Sequence, residues 1–311
     1  MKIGIVGTGG VGGLLGALLA RRGSEVALLA RGEHGRAIRE RGLHFAGTLG
    51  EFTVTNVVCA ERGTDIGPCD VVFVAVKTCQ LEGVLPEVRA MVREDTVVVP
   101  LQNGITAWAR IADAIGARFV VGGIIFVNSW VDAPGVIRQL GTLARVVLGE
   151  RGGGTSHRLA AIARLLVHAG LEAEVHDDVQ RTNWEKFLGF EPMAVVGALS
   201  RSSIGTFRAA PDARGVLVAL MNEVAEIARR RGVALPDDAV ARRLAIIDGL
   251  AHDATISMQR DLMAGRPSEF MEQSVGLLQI ARGLDVATPV HDICVPLLQL
   301  QEQAARAGKE R

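Results

Sequence analysis

Apolar residues fall into short, nearly unbroken runs over the first 175 positions and take up helical spacing after them. Ile3, Ile5 and Val6 form the first run, which reads as a short buried strand; past a glycine cluster, Leu14, Leu15, Leu18 and Leu19 mark one face of a helix. That helix ends at Arg21, Arg22 and Gly23, two cations in a last turn followed by glycine at the cap. A second strand over 26–30 completes strand, glycine loop, helix and strand in about thirty residues. Further strand-like runs span 53–58, 71–76, 96–100 and 120–127. Strands apolar on both faces need cover on both, so the expected sheet is parallel and doubly wound.

From Thr182 onward the periodicity predicts helices over 184–199, 212–231, 237–250, 268–282 and 290–307, punctuated by Gly232, Pro236, Gly283 and Pro289. The expected fold class is therefore α/β. An N-terminal Rossmann-type doubly wound parallel sheet occupies residues 1–179 and an all-α domain residues 180–311, parted in the polar stretch 176–180. The terminal AGKER reads as a frayed tail.

Residues 3–20 are uncharged and end in small side chains, as an export signal does, but seven of the eighteen are glycine, which weakens a signal or membrane helix. Gly7, Thr8, Gly9, Gly10, Val11 and Gly12 instead fit GxGxxG between a strand and a helix. In that setting the first glycine permits the tight turn, the second lets the backbone approach a pyrophosphate, and the third allows helix and strand to pack closely. The helix N-terminus then receives the phosphates, so a dinucleotide is the expected ligand.

Arg31 ends the second strand, where an acidic residue accepts the free ribose 2′-hydroxyl of NAD(H) and a guanidinium forks onto the 2′-phosphate of NADP(H). Arg31 points to NADP(H). Glu33 nearby keeps NAD(H) open, and a plain surface cation is the alternative for Arg31. Lys77 follows the run 71–76, and Asn103 stands in Gln102-Asn103-Gly104 after 96–100, at strand ends that face the ligand crevice in such sheets. Asn103 equally suits a simple turn.

Composition narrows the chemistry. The 311 residues carry 34 Lys plus Arg against 34 Asp plus Glu, a net charge of zero, which removes the positive field that nucleic-acid or anionic-membrane binding requires. There is no tyrosine, so no tyrosine serves as catalytic acid. Cys59, Cys69, Cys79 and Cys294 stand apart without metal spacing or a disulfide pattern, and a reduced, cytoplasmic setting is expected, with no metal.

In order and spacing these landmarks resemble the ketopantoate reductase (2-dehydropantoate 2-reductase) family: the glycine turn, Arg31, Val76-Lys77-Thr78, Gln102-Asn103-Gly104, Pro134-Gly135, Trp184-Glu185-Lys186, Ser257-Met258, Asp261, Gly265-Arg266, Ser268-Glu269 and Thr288-Pro289-Val290. The resemblance implies an NADPH-dependent reductase of a branched 2-keto acid, with ketopantoate reduced to pantoate in pantothenate biosynthesis. It assigns Lys186 as catalytic lysine, Glu269 as active-site carboxylate, and Asn103 and Ser257 as substrate contacts. The chemistry suits those types, because reduction of a ketone places negative charge on oxygen, and a lysine both stabilises that charge and donates a proton. The plain alternatives are a solvated helix lysine, a dipole-stabilising glutamate in a first turn, and an ordinary helix serine. The partner expected is a small 2-keto acid, with neither nucleic acid nor membrane, and the apolar helices leave room for a homodimer.

The pattern departs from the family at Phe190 and Ala194, where asparagines are usual one and two turns after the lysine, and at Phe270-Met271, where Ile-Asp is usual. A pocket wall on the Lys186 face is thus expected to be apolar. Three readings follow: a ketopantoate reductase, the same enzyme type acting on a more apolar 2-keto acid or ketone, and a nicotinamide-binding sensor without chemistry.

Overall fold

In the computed structural model, residues 1–266 and 268–307 are described; Pro267 and the expected tail at 308–311 lie outside the described residues. The chain forms two units. Unit 1 comprises Met1–Gln102 and Ala107–Gln180, and unit 2 comprises Asn103–Thr106 and the chain from Arg181 onward.

The strands of unit 1 are β1 (Lys2–Val6), β2 (Glu25–Leu29), β3 (Leu43–Gly47), β4 (Gly50–Val54), β5 (Val57–Ala60), β6 (Val71–Val74), β7 (Val97–Pro100), β8 (Gly122–Ala133), β9 (Val136–Gly149) and β10 (Glu172–Val175). Its helices are α1 (Gly10–Arg21), α2 (Gly32–Arg41), α3 (Gly63–Ile66), α4 (Leu85–Ala90), α5 (Ala107–Ile115) and α6 (His157–His168). Strands β5, β2, β1, β6 and β7 lie side by side in that order, all parallel. The order turns back between β1 and β6, which makes their carboxyl ends the switch point where doubly wound sheets bind ligands. Ile3, Ile5, Phe73 and Val99 enter one core and Val6, Val72, Val74 and Val98 the other. That double burial is why these strands read as unbroken apolar runs.

A second, mixed sheet is absent from the sequence expectation. β8 and β9 form a long antiparallel hairpin, and β9 continues in parallel pairing onto β3 at Val136–Arg138 and β10 at Arg145–Leu148, with β4 antiparallel to β3. The run 120–127 mostly belongs here, and the run 53–58 divides at Thr55 and Asn56 between β4 and β5. Trp130, Val131, Leu140 and Leu143 are exposed along the hairpin, so hydrophobicity there does not track burial.

Unit 2 holds α7 (Val179–Ser200) from Arg181 onward, α8 (Ile204–Ala209), α9 (Pro211–Arg230), α10 (Ala239–Asp248), α11 (Ser257–Met263), α12 (Gly276–Gly283) and α13 (Pro289–Ala307). Its described residues form helices and turns, packed around Trp184, Phe187, Leu188, Leu217, Leu220 and Leu277. The helix expected over 268–282 is interrupted by a π-helical turn at Met271–Val275, a departure that recurs at functional sites. No helix among the described residues is long and apolar enough to cross a membrane.

Candidate active site

β1 delivers the chain into Gly7, whose φ of +92° only glycine adopts without strain. A Cβ there would lie 2.5 Å from Val76 Cγ1, and one at Gly12 would lie 2.0 Å from the Gly7 carbonyl oxygen. A Cβ on Gly9 would meet nothing within 4 Å. The turn is therefore closed on its packed sides and open at Gly9, where a pyrophosphate would find room. Gly9 caps α1 with no side-chain hydrogen bond and no acidic residue stands in the first turn, so the helix N-terminus keeps its positive end for an anion. Thr8 is buried with its hydroxyl donating to Leu29 O at 3.0 Å, Gly10 packs against the Ser129 carbonyl, and Val11 packs on the core. These residues fit a dinucleotide.

Arg31 caps α2 just beyond β2, with Glu33 in the first turn of that helix. Its Nη2 lies 2.9 Å from Glu87 Oε1 and its Nε donates to Glu61 O at 3.2 Å. Lys77 is exposed three residues beyond β6, capping a short 3₁₀ turn at Thr78–Gln80.

In unit 2, Lys186 projects from α7 and its Nζ donates to Asn103 Oδ1 at 2.9 Å. Asn183, one turn earlier, donates to Gly104 O at 3.0 Å, so two side chains of α7 tie down the Asn103–Thr106 segment. Burial of the ammonium is the main influence on Lys186 and pulls its pKa from 10.5 to about 8; the Glu269 carboxylate pushes it back up and the Arg243 guanidinium pushes it further down. Gly189 explains how Arg243 comes near: a Cβ there would lie 2.6 Å from Arg243 Cδ, so the arginine arm crosses α7 where no side chain stands. Phe190 places its ring centroid 5.8 Å from Lys186 Nζ, and Ala194 is buried in the helical core.

Glu269 is buried, and its Oε2 accepts a hydrogen bond from Gln273 Nε2 at 3.3 Å across the π-helical turn. The preceding Ser268 is anchored by Glu302: its hydroxyl donates at 2.7 Å and its N–H lies 3.2 Å from both carboxylate oxygens, while Phe270 N–H donates to Ser268 Oγ at 3.1 Å. Phe270 is fully buried in the unit 2 core and Met271 packs on it, so these two departures from the family pattern serve packing. Ser257 opens α11, and its buried hydroxyl has no hydrogen-bond partner among the described residues.

Sequence reasoning passed over Asn183, Arg243 and Glu302, which act through contacts distant in sequence, and Gln273, which reaches Glu269 across the π-helical turn. It also passed over a largely buried cluster in which His291 Nε2 lies 3.1 Å from Glu191 Oε2 and Nδ1 lies 2.5 Å from Glu223 Oε2, with Ser274 Oγ 2.5 Å from Glu191 Oε1. Although burial lowers the pKa of His291, the two carboxylates raise it to about 9. The one signal for these groups was polar residues at apolar-spaced helix positions.

Family comparison agrees with this geometry over most of the chain. The model of the ketopantoate reductase PanE/ApbA family matches residues 3–153, and that of its C-terminal domain residues 178–302. The chain belongs to the ketopantoate reductase family. A 2-dehydropantoate 2-reductase of Mesorhizobium japonicum is 31% identical over 96% of this chain and 97% of its own. The crystal structure of a putative ketopantoate reductase from Ralstonia solanacearum is 31% identical with a TM-score of 0.88, covering 98% of each chain. A D-mandelate dehydrogenase solved with NADH and anilino(oxo)acetate shares the fold, with a TM-score of 0.88 at 23% identity over 98% of this chain and 99% of its own. Membership of the ketopantoate reductase family makes the protein an oxidoreductase acting on CH–OH groups.

Proposed function

We propose that this chain reduces a 2-keto acid to the 2-hydroxy acid with NADPH, and that ketopantoate is the substrate. The observation that carries the reading is the Lys186 ammonium, fixed by Asn103 at 2.9 Å and brought to a pKa of about 8. A bound reduced nicotinamide supplies a hydride to the carbonyl carbon. Lys186 stabilises the negative charge growing on the carbonyl oxygen and passes a proton to it, a transfer that a lysine near pKa 8 makes more readily than one near 10.5. Glu269 keeps Lys186 cationic, Asn103 holds its Nζ in place, and the Ser257 hydroxyl offers a hydrogen bond to the substrate. In unit 1 the open turn at Gly9 takes the pyrophosphate, and Arg31 and Lys77 take negative charge of the cofactor, Arg31 that of the 2′-phosphate.

A second reading keeps the reaction and cofactor but takes a more apolar 2-keto acid, favoured by Phe190 beside the Lys186 ammonium. A panel of 2-keto acids, followed by NADPH consumption, separates the two: preference for ketopantoate supports the first, and preference for an aromatic or alkyl analogue the second. Lys186→Ala should lower kcat by about 10²- to 10⁴-fold while NADPH still binds. Near-normal turnover in that variant, or NADPH binding without turnover of any 2-keto acid by the wild type, overturns the reading.

A further inference from the structure

We propose that Glu87 sets how strongly this protein prefers NADP(H) over NAD(H), by holding the Arg31 guanidinium in the free protein and by standing as a like charge beside the 2′-phosphate. This rests on the reading of Arg31 as the 2′-phosphate partner.

Glu87 is the fixed member of the pair. Its Oε2 accepts the Gly63 N–H at 2.6 Å while its Oε1 takes Arg31 Nη2 at 2.9 Å. Its backbone packs so closely on Gly63 that a Cβ there would lie 2.2 Å from Glu87 O. The carboxylate side chain is 16% exposed against 54% for Arg31, so the guanidinium is the partner that can swing. Nε meanwhile donates to Glu61 O at the end of β5, which leaves the other guanidinium donors for an incoming anion.

Two costs follow for a ligand carrying a 2′-phosphate. If it draws Arg31 away, the carboxylate loses its counter-ion; if it shares the guanidinium, phosphate and carboxylate repel one another. NAD(H), with a free 2′-hydroxyl, meets neither cost. Both costs are electrostatic near the surface, so salt screens them.

The test titrates NADPH and NADH by fluorescence onto the wild type, Glu87→Gln, Arg31→Ala and the double variant, at low salt and at about 0.5 M salt. Glutamine retains an acceptor for Gly63 N–H and removes only the charge. Glu87→Gln should tighten NADPH by about two- to fivefold at low salt and leave NADH within about twofold. The gain should shrink at high salt and in the Arg31→Ala background. Equal changes for both cofactors, or none, overturn the role of Glu87. Weaker NADPH binding in Arg31→Ala with no response to Glu87→Gln removes Glu87 and leaves the cofactor reading standing, whereas indifference of NADPH to Arg31→Ala removes both. Glu87→Asp, which draws the carboxylate back by one methylene, should move NADPH in the same direction if the glutamine variant does not fold.

Discussion

Phe190 stands one helical turn beyond Lys186 and presents its ring 5.8 Å from the ammonium nitrogen. A ring at this distance attracts the cation through its quadrupole and offers no hydrogen bond to a hydroxyl group. Of the two residues expected to form an apolar wall, Phe190 thus bears on the charge of Lys186, while Ala194 lies in the helical core.

Substrate choice should follow from that wall. Phe190→Asn restores a hydrogen-bonding side chain at this position and should raise kcat/KM for hydroxyl-bearing 2-keto acids over alkyl analogues by about tenfold, measured on the same substrate panel. An unchanged ratio would show that Phe190 does not line the pocket.

The pH profile tests the electrostatics around Lys186. With the protonated Lys186 as the proposed proton donor, kcat should fall as pH rises through about 8. Removing the Glu269 charge in Glu269→Gln takes away the influence that raises this pKa, so the fall should move to lower pH; Arg243→Gln takes away one that lowers it, so the fall should move to higher pH. Opposite displacements of the two profiles are the result to look for, and displacements in one direction would contradict the arrangement.

The glycine turn makes a contrasting pair. Gly12→Ala forces a Cβ to within 2.0 Å of Gly7 O and should lower the thermal midpoint by the equivalent of about 1 to 3 kcal/mol. Gly9→Ala places its Cβ in open space, so the midpoint should hold while NADPH binding weakens by about tenfold or more, read by fluorescence titration.

His291 provides a stability test independent of cofactor. Its folded pKa of about 9 stands above the unfolded 6.5, so the stability it contributes is fully present below pH 6.5 and is lost as pH rises through about 9. His291→Gln should cost about 3 to 5 kcal/mol at neutral pH by leaving Glu191 and Glu223 buried without their cation, and this cost should narrow toward pH 9. Urea midpoints of the two proteins across this range check it. Their difference isolates His291 from Lys186, whose lowered pKa favours the folded state increasingly above pH 8.

How far the sequence carries depends on the range of the forces involved. The parallel sheet was legible because Ile3, Ile5, Val72 and Val74 are buried on alternate faces, and local hydrophobicity records that directly. The β8–β9 hairpin was not, because Leu140 and Leu143 are apolar yet exposed and the pairing partners of β9 come from three separate places in the chain. At the candidate site, Gly7, Gly9 and Gly12 lie within one turn and declare their spacing. Asn103 and Lys186 are 83 residues apart, and the influence of Arg243 depends on the missing side chain of Gly189, which no periodicity reports.

The four residues Asn103–Thr106 belong with unit 2 although they are encoded in the middle of unit 1. A fragment that begins at Arg181 therefore lacks the Asn103 amide oxygen that accepts from Lys186 and the carbonyl that Asn183 holds. Chimeras that exchange C-terminal halves between relatives need to carry this short insert with them, or the grafted lysine will arrive without its neighbour.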